Sequence, residues 1–185
     1  MYRQMVSIFL SRVAIWLSIG GWLALSGVSA WLSGCAGAPA PVIKERTTLR
    51  LQIAANENVN PNEWGTAAPI LVRIYELKSP TAFQTADFFT LQSDDKKILG
   101  DDALIVDEFI LRPGDTREIV RKSNAATTAI GVLAGYRDLG KSVWRGVYRL
   151  PVAPDAAWYR MALPDKEQKL TIQLDQRTVS ISKSD

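Results

Sequence analysis

The sequence predicts an all-β chain, a two-sheet sandwich of about eight strands with one small helical insert between the second and third. Three observations carry this. Apolar residues recur at every second position in several short segments, such as Leu49, Leu51 and Ile53 or Leu170, Ile172 and Leu174. Gly, Pro, Asn and Asp punctuate those segments at regular intervals. The period departs from two in one region, 79–100, where spaced Phe residues replace the alternation. An all-β chain of this length with regular turn signals is most simply a sandwich.

The elements follow in order. Segment 47–55 places Leu49, Leu51 and Ile53 on one face and Thr48, Arg50 and Gln52 on the other, as a half-buried strand does. Segment 56–68 is rich in Asn, Pro and Gly, and 70–77 resumes a strand. A loop of about 13 residues thus joins strands that a few would connect, and loops of that length in compact domains serve function or stay disordered. Ser79 followed by Pro80 reads as an N-cap with Pro at the first helical position. Phe83, Phe88 and Leu91 suggest one or two short helices to about residue 91, with Asp87 capping the second; 93–97 reads as a polar turn. The Phe cluster is expected to pack on the sheet.

Strand character returns at 104–111. Arg112, Pro113, Gly114 and Asp115 form a turn signal, and 116–122 answers as a hairpin partner. Segment 125–136 is small and apolar and reads as a strand buried on both faces, with Gly131 and Gly135 marking bulges or close backbone approach. Strands at 144–150, 158–163, 169–174 and 177–182 complete the pattern, the last two joined by a tight turn at Asp175 and Gln176.

The N-terminus follows a different logic. Arg3 and Arg12 are the only charged residues before Lys44, and 13–32 is apolar or small. A basic start followed by an apolar run is a secretory signal, although 20 such residues also suffice to span a bilayer. Leu32, Ser33, Gly34 and Cys35 resemble the lipobox of bacterial lipoproteins, and Cys35 is the single Cys of the chain. Residues 1–34 are therefore expected to be cleaved, with 35–46 a lipidated tether and 47–185 the sandwich domain. Small residues and prolines at 36–41 form no regular element. The competing expectation is an uncleaved signal anchor. A lipidated terminus with Ala36 rather than Asp after the Cys matches the family-level rule for outer-membrane sorting.

Composition narrows the chemistry. The leader holds two of the 22 basic residues and none of the 19 acidic ones, leaving 20 against 19, a net of +1 over 151 residues. A domain of that size buries roughly 70% of its unfolded surface. There is no dense Lys/Arg stripe, so nucleic acid is not an expected partner. There is no His. That removes Ser-His-Asp and Cys-His catalysis and zinc sites with nitrogen or sulfur ligands. A lone Cys makes no disulfide framework. The acidic pairs Asp94/Asp95, Asp101/Asp102 and Asp107/Glu108 are adjacent in sequence. In extended chain such neighbours point to opposite faces, so they read as solvated charges rather than a catalytic dyad.

Several segments, in this order and spacing, resemble a known family. These are the lipobox leader, the Asn-rich loop, the run Pro69, Ile70, Leu71, Val72, Arg73, Ile74, Tyr75, Glu76, Leu77, and the Phe83, Asp87, Phe88 insert. Leu111 to Gly114, then Ile130, Gly131, Val132, then Tyr136, Arg137, Asp138, and finally Trp144, Arg145 complete it. Together they are similar to the TssJ (VasD-type) lipoproteins of type VI secretion systems. The resemblance implies a transthyretin-like sandwich with a protruding loop between the first two strands. It implies no catalysis, no small-molecule substrate and no cofactor beyond covalent diacylglycerol and an N-acyl chain on Cys35. It implies an outer-membrane lipoprotein whose domain faces the periplasm and binds the periplasmic domain of the inner-membrane TssM protein, with TssL in the same complex. In the family the first inter-strand loop carries the TssM contact. Here that loop holds Asn58, Asn60, Pro61, Asn62, Glu63 and Trp64, with Trp64 the expected anchor, since Trp is enriched at interface hot spots. Tyr136/Arg137 and Trp144/Arg145 are either a second exposed patch or internal packing. The alternative functions are a lipoprotein carrying a small hydrophobic or sugar ligand, or a hydrolase using carboxylates or a Ser-Lys pair.

Overall fold

A computed structural model describes residues 45–153 and 166–184. The leader, Cys35 and the segment expected as a strand at 158–163 lie outside the described residues. Within them are eight strands: β1 (Thr48–Ala55), β2 (Ile70–Leu77), β3 (Ala103–Leu111), β4 (Thr116–Lys122), β5 (Ala129–Gly135), β6 (Arg145–Arg149), β7 (Glu167–Leu174) and β8 (Val179–Lys183). Two helices, α1 (Thr81–Thr85) and α2 (Phe88–Leu99), lie between β2 and β3. One sheet runs β4-β1-β7-β8 and the other β3-β2-β5-β6. Every pairing is antiparallel except β1 with β7, which sets Leu51 beside Leu170 and Ile53 beside Ile172.

The alternation determines which side chains meet. Leu49, Leu51, Ile53, Leu170, Ile172 and Leu174 from one sheet face Ile70, Val72, Ile74, Ile130, Val132 and Ala134 from the other in one apolar cluster. Each fully buried Leu, Ile or Val contributes roughly 1.5–3 kcal/mol. A second cluster lies on the outer face of the β2-β5 sheet, where Tyr75, Leu77 and Leu133 meet Phe83, Phe88, Leu91 and Leu99 of the helices. That arrangement buries β5 on both faces, as its composition predicts.

Gly131 shows why that strand is small. A Cβ there would lie 2.9 Å from Phe83 Cε1 and 3.0 Å from Leu77 Cδ1. Gly131→Val is expected to cost about 1–3 kcal/mol of unfolding free energy in chemical denaturation, by forcing the α1 ring off the sheet. Wild-type stability in that variant would mean that Phe83 is not seated against β5.

Three local expectations are corrected. Segments 104–111 and 116–122 are not a hairpin. β3 pairs with β2 and β4 pairs with β1, so the connecting turn crosses from sheet to sheet. The turn is tight, with Asp115 N–H donating to Arg112 O at 3.0 Å and Gly114 at φ 81°. A tight turn reverses the chain without deciding which edge the next strand joins. Here Ala55 takes both ends of the turn, donating to Asp115 O and accepting from Gly114 N–H. Arg117 of β4 then lies 4.3 Å over the Phe109 ring of β3.

Pro80 is the N-cap of α1 rather than its first helical residue. The polar turn at 93–97 is instead part of α2, which continues to Leu99 across a kink at Asp94 (φ −147°, ψ 46°). Arg73 and Tyr75 on the sheet stabilise that kink. The Arg73 guanidinium donates to Leu91 O at 3.0 Å and Gln92 O at 3.2 Å, and the Tyr75 phenol donates to Asp95 at 3.1 Å. Burial pushes the Tyr75 phenol up to about 12. The helix resumes because Leu99 buries on the far side of the break. The start of α2 matches its sequence signal. Asp87 accepts from Thr90 N–H at 3.0 Å, and the Thr90 hydroxyl bond holds the Asp87 carboxyl below its usual range.

Candidate functional site

The long β1–β2 loop is built from its asparagines. Asn56 Oδ1 accepts from Asn58 N–H at 3.0 Å, and Val59 turns inward and is fully buried. Asn60 follows with φ 51°, a left-handed backbone that Asn tolerates better than most residues. Its buried side chain bridges two segments, donating to Pro69 O at 2.8 Å and accepting from Arg137 N–H at 2.8 Å. Asn60 N–H donates to Gln176 O at 3.1 Å. The loop is thereby tied to the β5–β6 connection and the β7–β8 turn at one end of the sandwich. Asn60 acts as an internal peg and is not exposed to a partner, unlike the loop's other expected contact residues.

Beyond the peg the loop folds on itself. Asn62 Oδ1 accepts from Trp64 N–H at 3.0 Å and from Thr66 N–H at 2.9 Å. Asn62 N–H donates to Thr66 O, and Gly65, at φ 79°, donates to Asn62 O. An Asn side chain imitating a backbone turn, followed by a left-handed Gly, is a stable local motif. It holds the Trp64 side chain outward, 84% exposed. Asn58 and Glu63 are exposed and Pro61 and Asn62 half-buried. The loop therefore presents a large aromatic from a fixed backbone.

Trp64 borders an open cleft of about 870 Å³ lined by Pro61, Asn62, Glu63, Arg137, Asp138, Lys141 and Arg177. The basic residues come from connections distant in sequence. Arg137 belongs to a pair that the sequence singles out; Lys141 and Arg177 carry no sequence signal, because only the topology gathers these turns at one end. The other members of the two aromatic-Arg pairs are structural. Tyr136 is buried and donates to Asp175 O at 3.1 Å, and burial raises its phenol pKa. Trp144 packs edge-on against Phe88, with ring centroids 5.3 Å apart. Arg145 lies over Trp144 and donates to Phe83 O and Ala86 O, closing the carbonyl end of α1.

The acidic pairs are distributed as single charges. Asp95 and Glu108 pair with Arg73, Asp107 pairs with Arg121, and Asp94 pairs with Lys97 at 4.0 Å. Among the described residues no three Asp, Glu, Cys or His side chains converge as metal ligands would.

Comparison with known proteins identifies the arrangement. Residues 47–177 match the model of the type VI secretion lipoprotein family, described as VasD, EvfM and TssJ. The T6SS lipoprotein TssJ1 from Pseudomonas aeruginosa is 35% identical at a TM-score of 0.66, covering 76% of this chain and 98% of its own. Serratia marcescens Lip, a membrane-bound component of the type VI secretion system, is 28% identical at a TM-score of 0.64, covering 75% and 98%. A chain in the structure of the T6SS protein TssM C-terminal domain from EAEC is 25% identical at a TM-score of 0.54, covering 73% and 97%. No curated protein matches the chain. The two-sheet sandwich with its helices between β2 and β3 and these likenesses converge: the chain belongs to the type VI secretion lipoprotein family that includes TssJ.

Proposed function

We propose that this lipoprotein is anchored in the outer membrane by acyl chains on Cys35 and binds the periplasmic domain of TssM, helping to join the two membranes in one complex that includes TssL. Its role is assembly rather than catalysis. The observation that carries the reading is the β1–β2 loop, which holds Trp64 outward on a hydrogen-bonded backbone. An exposed Trp costs solvation, and its fixed presentation reduces the entropy lost when a partner covers it. The likeness to a chain in a structure of the TssM C-terminal domain supports the choice of partner. A ligand-carrying role requires an enclosed apolar cavity, whereas the cleft beside Trp64 is open and bordered by charge.

Trp64→Ala is the direct test. Removing the whole loop would also remove buried Val59 and Asn60 and damage the sandwich. With the full-length lipoprotein in nonionic detergent and the TssM periplasmic region, the variant is expected to bind at least about 30-fold more weakly, a hot-spot loss of about 2 kcal/mol. Its thermal midpoint should be unchanged. Wild-type affinity in the variant would move the interface away from this loop.

A further inference from the structure

The cleft beside Trp64 carries an electrostatic feature that an aromatic anchor alone does not explain. Arg50 pairs with Glu118 and Glu167, Arg73 with Asp95 and Glu108, and Arg121 with Glu76 and Asp107. Arg137 and Arg177, by contrast, line the cleft exposed and with no ion-pair partner among the described residues. Two carboxylates share the lining. Asp138 is engaged by Lys141 at 3.5 Å, which leaves Glu63 as the one unengaged acidic side chain beside two guanidiniums.

We propose that this cleft receives an acidic segment of the protein partner, its carboxylates paired with Arg137 and Arg177 while an adjoining apolar socket takes Trp64. The proposal rests on the reading above and specifies the chemistry of the partner at that site. A planar guanidinium fork matches a carboxylate with two parallel hydrogen bonds. Both arginines stand on constrained backbone. Arg137 N–H donates to the Asn60 peg, and Arg177 O accepts from Val143 N–H at 2.8 Å. The same peg links Arg137 to the Trp64 loop, so anchor and charges form one surface rather than independent patches. The chain after residue 34 is close to neutral, with 20 basic and 19 acidic side chains. Salt-sensitive association with an acidic partner therefore reports this local charge rather than a global excess.

The test compares wild type, the double variant Arg137→Gln/Arg177→Gln and Trp64→Ala. All are full-length and in nonionic detergent, titrated against the TssM periplasmic region over a series of salt concentrations. Wild-type affinity should fall with salt. The double variant should bind about tenfold more weakly at low salt, with a flattened salt dependence and an unchanged thermal midpoint. Wild-type affinity in the double variant, or a loss equal at every salt concentration, overturns the proposal. So does a double variant that binds TssM normally but loses sedimentation with phosphatidylglycerol vesicles, since the cleft would then take a lipid headgroup. If wild type does not bind, the partner assignment itself has failed; if Trp64→Ala also binds normally, the interface lies away from this loop. A normal double variant beside a defective Trp64→Ala removes only the acidic-segment proposal.

Discussion

Arg121→Ala is expected to lower the unfolding free energy by about 3–5 kcal/mol, the usual consequence of stripping one partner from a buried ion pair. The reason lies at the end of the sandwich opposite the Trp64 loop. Glu76 of β2 is fully buried between the sheets. Its carboxylate accepts from Arg121 Nε at 2.6 Å, from Asn124 N–H at 3.0 Å and from the Thr127 hydroxyl at 2.8 Å. Arg121, on β4 of the facing sheet, also donates to Asp107 at 2.6 Å. One guanidinium thus joins two carboxylates across the sandwich, and their hydrogen bonds hold its pKa up against burial. Without it, Glu76 keeps two neutral donors and no counter-charge in a site water does not reach. Urea denaturation of wild type, Arg121→Ala and the double variant Arg121→Met/Glu76→Leu separates the causes. The double variant should recover most of the loss, because removing both charges removes the uncompensated one. A single variant as stable as wild type would show that the cluster adds nothing to stability.

Cys35→Ala is expected to abolish lipid anchoring in the outer membrane. Each buried methylene contributes about 0.8 kcal/mol to membrane binding, and two acyl chains suffice for stable anchoring. The diacylglycerol and N-acyl chain proposed on Cys35 would exceed that threshold, so in the proposed reading the sulfur of one residue decides location. The substitution leaves the described domain untouched. Its melting transition should match wild type while radiolabelled palmitate incorporation is lost. The protein should no longer fractionate with the outer membrane, and secretion-system assembly should fail. A Cys35→Ala chain that still fractionates with outer membrane would show that something other than lipid holds it there.

Strands such as β1 and β7 were legible because each follows a period of two enforced by one buried face. Leu49, Leu51 and Ile53 on β1 and Leu170, Ile172 and Leu174 on β7 leave no other register that buries them. The Asp87 cap was legible because it is a local hydrogen bond. Less was visible where a long-range partner decides the outcome. The turn at residues 112–115 looks like a hairpin from its own residues, and its change of sheet comes from Ala55, some 60 residues earlier. The continuation of α2 past Asp94 depends on Arg73 reaching carbonyls that a break in the helix frees.

The same division runs through the candidate site. The sequence alone determined that 56–68 is a special loop, that Trp64 is its one large aromatic and that Cys35 is the lone thiol, since composition and spacing are properties of a segment. Tertiary structure decided which of those residues face outward. Asn60 resembles its exposed neighbours in sequence, yet it is the buried peg, because its side chain meets Pro69 O and Arg137 N–H only after the sheets assemble. It also decided that Arg137, Lys141 and Arg177 share a cleft with Trp64. Sheet order gathers turns from distant parts of the chain at one end of the sandwich, and no local pattern in the sequence encodes that proximity.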